Sequence, residues 1–206
     1  MLVTDRHETG GRDLVGVVAE AVRGGVELVQ VREKDLPDDA LVALLGRLRT
    51  ALPPTVRLVV NGRPAVARAA RVGLHLGAAE PTLPERPPGL YGRAAHDEAE
   101  AHRAQAEHVD YILLGTIFPT GSKPGLPGAG PGLVAHISRL VAPTPVLAIG
   151  GITVANAASM LAAGAHGVAV RSAILAAPDP RAAARAFAVT LAGRPVPPPA
   201  CAPFFR

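Results

Sequence analysis

Aromatic residues make up 3% of the chain and tryptophan is absent, so almost no rings are available to stack nucleobases along a basic surface. Lys and Arg outnumber Asp and Glu by 21 to 17. The basic residues are mostly scattered arginines without a dense run, and a nucleic-acid partner is not expected. The single cysteine, Cys201, leaves no disulfide framework and no paired Cys spacing for a metal. No apolar run approaches the roughly 20 residues that cross a bilayer, and no charged start followed by a long apolar core opens the sequence. The expectation is a soluble, cytoplasmic protein that touches neither nucleic acid nor membrane.

What is present is apolar residue, 49% of a 206-residue chain, enough for one well-buried core. Short β-branched runs alternate with Ala/Leu-rich segments of helical period. Strands are expected at 2–5, 26–32, 57–61, 72–77, 90–94, 110–115, 145–150 and 166–171. Helical segments follow each except the fourth, where the link is Pro-rich. Eight strand-then-helix units in one α/β domain predict a single (β/α)8 TIM barrel over residues 1–192, with an open doubly wound sheet as the structural rival. Residues 193–206, "GRPVPPPACAPFFR", read as a Pro-rich tail or a strap onto the barrel or a partner. A homo-oligomer is compatible with this reading.

A barrel carries its chemistry at the C-terminal ends of its strands, and polar and glycine residues gather there. Strand two ends in Gln30, Arg32 and Lys34, which alternation places on one face, where Arg and Lys suit an anionic group. The alternative for Lys34 is a solvated loop shared with Glu33. Asn61 and Arg63 follow strand three, Glu80 follows strand four, and Arg93 and His96 follow strand five. The loop "GTIFPTGSKPGLPGAG" (115–130) carries Thr116, Thr120, Ser122 and Lys123 and reads as a lid. Strands seven and eight end in Gly150-Gly151 and in Arg171-Ser172. Small residues at those two ends leave room for a phosphate on backbone amides, and a tight strand-to-helix turn is the simpler explanation of the glycine pair alone. His75 lies within strand four, while His102, His108, His136 and His166 read as surface.

Over residues 2–180 the segments "LVTDR", "GGVELVQVREK", "HLG", the Gly-x-x-x-His of "GRAAH", "GTIFPTGSK", "AIGGIT" and "GVAVRSAI" occur in the order and spacing of the thiamine-phosphate synthase and TenI superfamily, which the chain resembles. The resemblance implies a (β/α)8 barrel acting on a thiazole phosphate, with Gly150, Gly151 and Ser172 around that phosphate. In the synthase branch it implies Arg32, Lys34, Asn61 and Lys123 on a pyrimidine pyrophosphate, and Mg²⁺ held by carboxylates after strands three and four.

This chain has Asn61-Gly62 where that branch has Asn-Asp, keeps Glu80 alone, and has Ala94 in place of a Ser. On this reading an Asp at position 62 should raise Mg²⁺-dependent activity. "NGR" (61–63), the "GR" before His96 and Lys-Pro-Gly-Leu-Pro-Gly in the lid resemble the TenI branch, whose thiazole tautomerases use no metal. The acid/base His of that branch is Thr116 here. The expectation is therefore a metal-independent TenI-like isomerase without cofactor, with His96 or Thr116 moving the proton. The alternatives are a Mg²⁺-dependent synthase with Glu80 as its carboxylate, and a non-catalytic binder of thiazole phosphate.

Overall fold

The computed structural model describes residues 1–121, 125 and 127–192. Within them eight parallel strands follow one another around a single sheet in chain order: β1 (Leu2–Val3), β2 (Leu28–Val31), β3 (Arg57–Asn61), β4 (Gly73–Leu76), β5 (Tyr91–Ala95), β6 (Tyr111–Leu114), β7 (Val146–Ile149) and β8 (Gly167–Ala169). The Val3 N–H donates to the Val170 carbonyl at 2.9 Å and the Val170 N–H to the Met1 carbonyl at 3.1 Å. These bonds join β8 to β1, so the sheet is a barrel and the open-sheet rival is excluded.

Around it lie α1 (Leu14–Arg23), α2 (Asp38–Ala51), α3 (Pro64–Ala70), α4 (Glu98–Ala106), α5 (Gly130–Leu140), α6 (Val154–Ala162), α7 (Ser172–Leu175) and α8 (Pro180–Ala192). Residues 77–90, between β4 and β5, form no helix, because prolines at 81, 84, 87 and 88 remove amide donors and fix extended φ values. The short α7 after β8 is an element the periodicity did not predict. At the start of α1, the Asp13 carboxylate accepts the Gly16 N–H at 3.0 Å, and Leu14, Val17, Val18 and Ala21 form its buried face.

Strand alternation divides the apolar residues into two layers. Val29, Val31, Val60 and Ile112 point outward against the helices. Val3, Leu28, Val59, Leu113 and Leu147 fill the barrel interior together with Tyr111. Each such burial contributes about 1.5–3 kcal/mol. Gly92 lies directly beneath the Tyr111 ring, where a Cβ would collide with it. Glycine in β5 is thus what lets a tyrosine fill the interior.

Candidate active site

The C-terminal ends of the strands enclose a cavity of about 540 Å³. The alternation of β2 carries Gln30, Arg32 and Lys34 into it, as expected. Glu33 faces the other way and is buried rather than solvated. Its Oε1 accepts the Thr4 hydroxyl at 2.6 Å, while Oε2 takes the Arg6 N–H at 3.0 Å and Arg6 Nη1 at 3.3 Å. The same Thr4 Oγ1 accepts the Arg32 N–H at 3.0 Å. A buried relay outside the cavity therefore sets the backbone from which Arg32 projects.

Burial lowers the Arg32 pKa, and the neighbouring positive charge of Arg171 lowers it further. Arg171 lines the same wall and pairs through Nη2 with Glu8 Oε1 at 2.5 Å and through Nη1 with Asp5 Oδ2 at 3.7 Å. Two guanidinium groups that raise each other's electrostatic cost form a wall that an anion would relieve. Arg63, expected in the site, does not line the cavity. Its Nη1 pairs with Asp38 Oδ1 at 2.5 Å and its Nη2 donates to the Lys34 carbonyl at 3.0 Å, so it fixes the loop that carries Lys34.

Asn61 and Glu80 line the cavity beside Arg32, at and beyond the ends of β3 and β4. Glu80 Oε2 accepts the Gly77 N–H, and Oε1 lies over Gly62, 2.8 Å from where a Cβ would stand. Gly62 has φ +68°. The extra methylene of Glu80 thus carries one carboxylate across the space that a residue-62 side chain would need. Among the described residues no group of three His, Cys, Asp or Glu side chains can hold a metal on its own. One carboxylate does fit Mg²⁺ when substrate phosphates complete its shell, the usual arrangement for that ion.

On the floor, His75 Nδ1 lies 3.1 Å from the Oη of Tyr111 in the layer beneath, and the rings stack at 5.6 Å. Burial, then the charges of Arg93 and Arg32, push the His75 pKa down to about 3. His75 is therefore a neutral imidazole lining the cavity. Beside it the buried side chain of Gln30 lines the cavity and reaches the Tyr111 hydroxyl. His96 stands at the rim, its Nδ1 2.9 Å from Glu100 Oε2. His166, read as surface, is half-buried and both its ring nitrogens lack partners.

Thr116, Thr120, Gly150, Gly151 and Ser172 all line the cavity, while Ser122, Lys123 and the tail 193–206 lie outside the described residues. The glycine pair has a reason the sequence did not reveal. Gly150 has φ +101° and Gly151 φ +62°; a Cβ on the first would lie 2.6 Å from Thr116 Cγ2, and on the second 2.5 Å from the Pro119 carbonyl. The Phe118 N–H donates to the Gly150 carbonyl at 3.0 Å. What comes close to this backbone is the chain at Thr116–Pro119, the start of the loop that follows β6. Across the gap, the N–H groups of Gly151, Ile152, Ser172 and Ala173 donate to no carbonyl among the described residues, so the edge of the cavity presents backbone donors.

A second cavity, of about 510 Å³, lies at the other end of the barrel, among Arg49, Arg57, Arg68 and Arg71. It receives no strand C-terminus. Among the described residues, no helix is long and apolar enough to cross a membrane.

The fold and cavity define a (β/α)8 barrel whose mouth, among the described residues, sets three cationic side chains, Arg32, Lys34 and Arg171, around one carboxylate, Glu80. Residues 1–174 match the family model described as thiamine monophosphate synthase, and the chain belongs to that family. It is 42% identical over 207 residues to a protein of Geobacter sulfurreducens named putative thiamine-phosphate synthase, covering 94% of each. It is also 42% identical to the thiamine-phosphate synthase of Roseiflexus castenholzii, covering 94% of this chain and 88% of the relative. A solved thiamine phosphate pyrophosphorylase from Pyrococcus furiosus superposes with a TM-score of 0.82 at 29% identity, over 93% of this chain and 94% of that one.

These relatives overturn the expected isomerase. Relatives at 36–42% identity carry the synthase name, and the residues that suggested a tautomerase lose their force in the structure. Arg93, expected at the strand-five mouth, faces away from the cavity and is fully buried against Glu107. Arg63 braces a loop, and part of the Lys-Pro-Gly-Leu-Pro-Gly segment lies outside the described residues.

Proposed function

We propose that the chain is a thiamine-phosphate synthase, joining hydroxymethylpyrimidine pyrophosphate to thiazole phosphate with release of pyrophosphate. The observation that carries this reading is the pairing of Arg32 and Lys34 with Glu80 around one cavity, in a chain so similar to synthases. Arg32 and Lys34 take the pyrophosphate oxygens, Arg32 through two parallel bonds. Asn61 adds a polar contact, and Lys123 belongs to the same group by its place in the lid sequence. Glu80 would hold Mg²⁺ jointly with the pyrophosphate; when bound, the ion neutralises charge on that leaving group. Gly151 and Ser172 offer backbone amides to the thiazole phosphate.

The bond that forms joins the thiazole nitrogen to the pyrimidine methylene carbon, and the bond that breaks is the one from that carbon to pyrophosphate oxygen. The nitrogen lone pair becomes the new bond and the leaving oxygen keeps the old pair. No proton moves at the reacting atoms, so the chemistry asks no acid or base of Thr116 or His96, which line the site instead. The neutral His75–Tyr111 floor adds no charge beneath the ring.

The test is a paired assay of the purified protein. Thiamine phosphate and pyrophosphate formed from both substrates only with Mg²⁺ is the expected result. Ring isomerisation of thiazole carboxylate phosphate without metal, or no product with phosphate still bound, would overturn it.

A further inference from the structure

The connection from β4 to β5 is where the barrel dispenses with a helix, and it carries Glu80. Four prolines leave it few amides of its own. Its far part is tied by Arg86, which pairs with Asp110 Oδ2 at 2.6 Å and donates to the His108 carbonyl at 3.3 Å, and its near part, around Glu80, by a polar cluster on the outside of β5. Arg93, its side chain 1% exposed, pairs through Nη1 with Glu107 Oε2 at 2.8 Å and donates from Nη2 to the Glu80 carbonyl. Glu107 Oε1 accepts the Thr82 hydroxyl at 2.6 Å, and Oε2 also accepts the Tyr91 hydroxyl at 2.6 Å. Thus one ion pair grips the connection twice, at the backbone of Glu80 and at the side chain of Thr82. The Tyr91 hydroxyl bonds the same carboxylate and meets Arg93, and among the described residues it makes no side-chain hydrogen bond to residues 77–90.

We propose that Arg93 and Glu107 are positioning residues for Glu80: they hold its carboxylate over Gly62, and so set how tightly the mouth binds a divalent cation together with a diphosphate. A buried ion pair adds little stability compared with an apolar pair of the same size. The place of this one is explained by the residue it holds. Partners that orient a metal ligand from behind typically control about 10- to 100-fold in metal affinity. The proposal rests on the synthase reading only for the kind of ligand, a cation with a diphosphate.

The experiment measures Mn²⁺ affinity by electron paramagnetic resonance in the presence of inorganic pyrophosphate, with amide exchange over residues 77–83 alongside. Replacing both partners, Arg93→Met with Glu107→Met, leaves no lone buried charge. It is expected to weaken Mn²⁺ about 10-fold and speed exchange at 77–83, with kcat restored at saturating metal. Thr82→Val gives a smaller loss in the same direction and serves if the double variant does not fold. Tyr91→Phe is expected to leave Mn²⁺ affinity unchanged. In a Glu80→Gln background the double replacement should add no further loss, since the clamp acts through that carboxylate. Unchanged Mn²⁺ affinity in the folded clamp variants, an equal loss in Tyr91→Phe, or full additivity with Glu80→Gln would overturn the proposal. Turnover by the wild-type protein is a separate readout: its absence overturns the synthase reading and leaves the Mn²⁺ cycle to judge the clamp.

Discussion

The two sides of the cavity mouth are built from different materials. At the ends of β7 and β8, Arg171 apart, the surface is backbone: Gly150 and Gly151 packed beneath the start of the 115–130 loop, and amides at Ser172 and Ala173 that donate to no carbonyl among the described residues. At the ends of β2, β3 and β4 it is side chain: Arg32, Asn61 and Glu80, each needing a fixed direction. The backbone side is held by the ladder and by close packing, so it requires small residues and little else. The side-chain side depends on residues that never reach the cavity, the Thr4–Glu33–Arg6 relay behind Arg32 and the Arg93–Glu107 pair behind Glu80. Function at one wall is protected by geometry, and at the other by a supporting rank of buried charges.

The contrast can be broken most forcefully on the backbone side. Gly151→Val places a β-branched residue at φ +62° and 2.5 Å from the Pro119 carbonyl. It should destabilise the fold by about 3–5 kcal/mol, the sum of backbone strain and overpacking. Urea unfolding measures this, and an unchanged midpoint would refute the packing account.

Between the walls, His75 makes the floor sensitive to acid. Its pKa is 6.5 when free and about 3 in the fold, so between those values the unfolded chain takes up a proton that the folded one refuses. Stability is full above pH 6.5 and declines as pH falls toward 3, by on the order of 3–5 kcal/mol. His75→Gln should flatten this dependence in denaturation curves at pH 7.5, 5.5 and 4, and an equally steep decline would assign it elsewhere.

On the side-chain wall, Arg32→Gln removes a charged donor from the anion and should lower kcat/KM about 10- to 100-fold. The melting temperature should stay near that of the wild type. A loss of stability without loss of activity would reverse the roles assigned to the two walls.

The smallest effect sharpens the carboxylate wall. The sequence suggests that Asp at position 62 would restore a missing magnesium ligand, but φ +68° and Glu80 occupy its place. Gly62→Asp should cost about 1–2 kcal/mol and weaken metal dependence. Stronger Mg²⁺ activation in that variant would show that two carboxylates share the site after all.

Much of the frame was legible before any coordinates. The strands lie within a few residues of their expected bounds, since β-branched runs ending in glycine or charge leave little ambiguity. The rule that sent Gln30, Arg32 and Lys34 inward also held. Applied to the residues between them, the same rule turns Glu33 outward, and in β5 it turns Arg93 away from Ala94. What alternation cannot supply is the partner. Glu33 is met by Thr4 and Arg6 from β1 and its loop, and Arg93 by Glu107 at the end of α4, meetings made only when the barrel closes. The glycine pair was legible as a demand for small residues but not for its cause, because a phosphate and a neighbouring loop ask the same of a sequence.

The pairing of Gly92 with Tyr111 fills the interior layer beneath the chamber, whose own base is lined by His75 and Leu113. The phenol ring fills the volume that a β5 side chain would otherwise occupy and stacks against His75, so one interior residue carries the base on which any occupant of the chamber rests. Trimming that ring to a smaller side chain would take the support from beneath His75 while leaving both walls as they are.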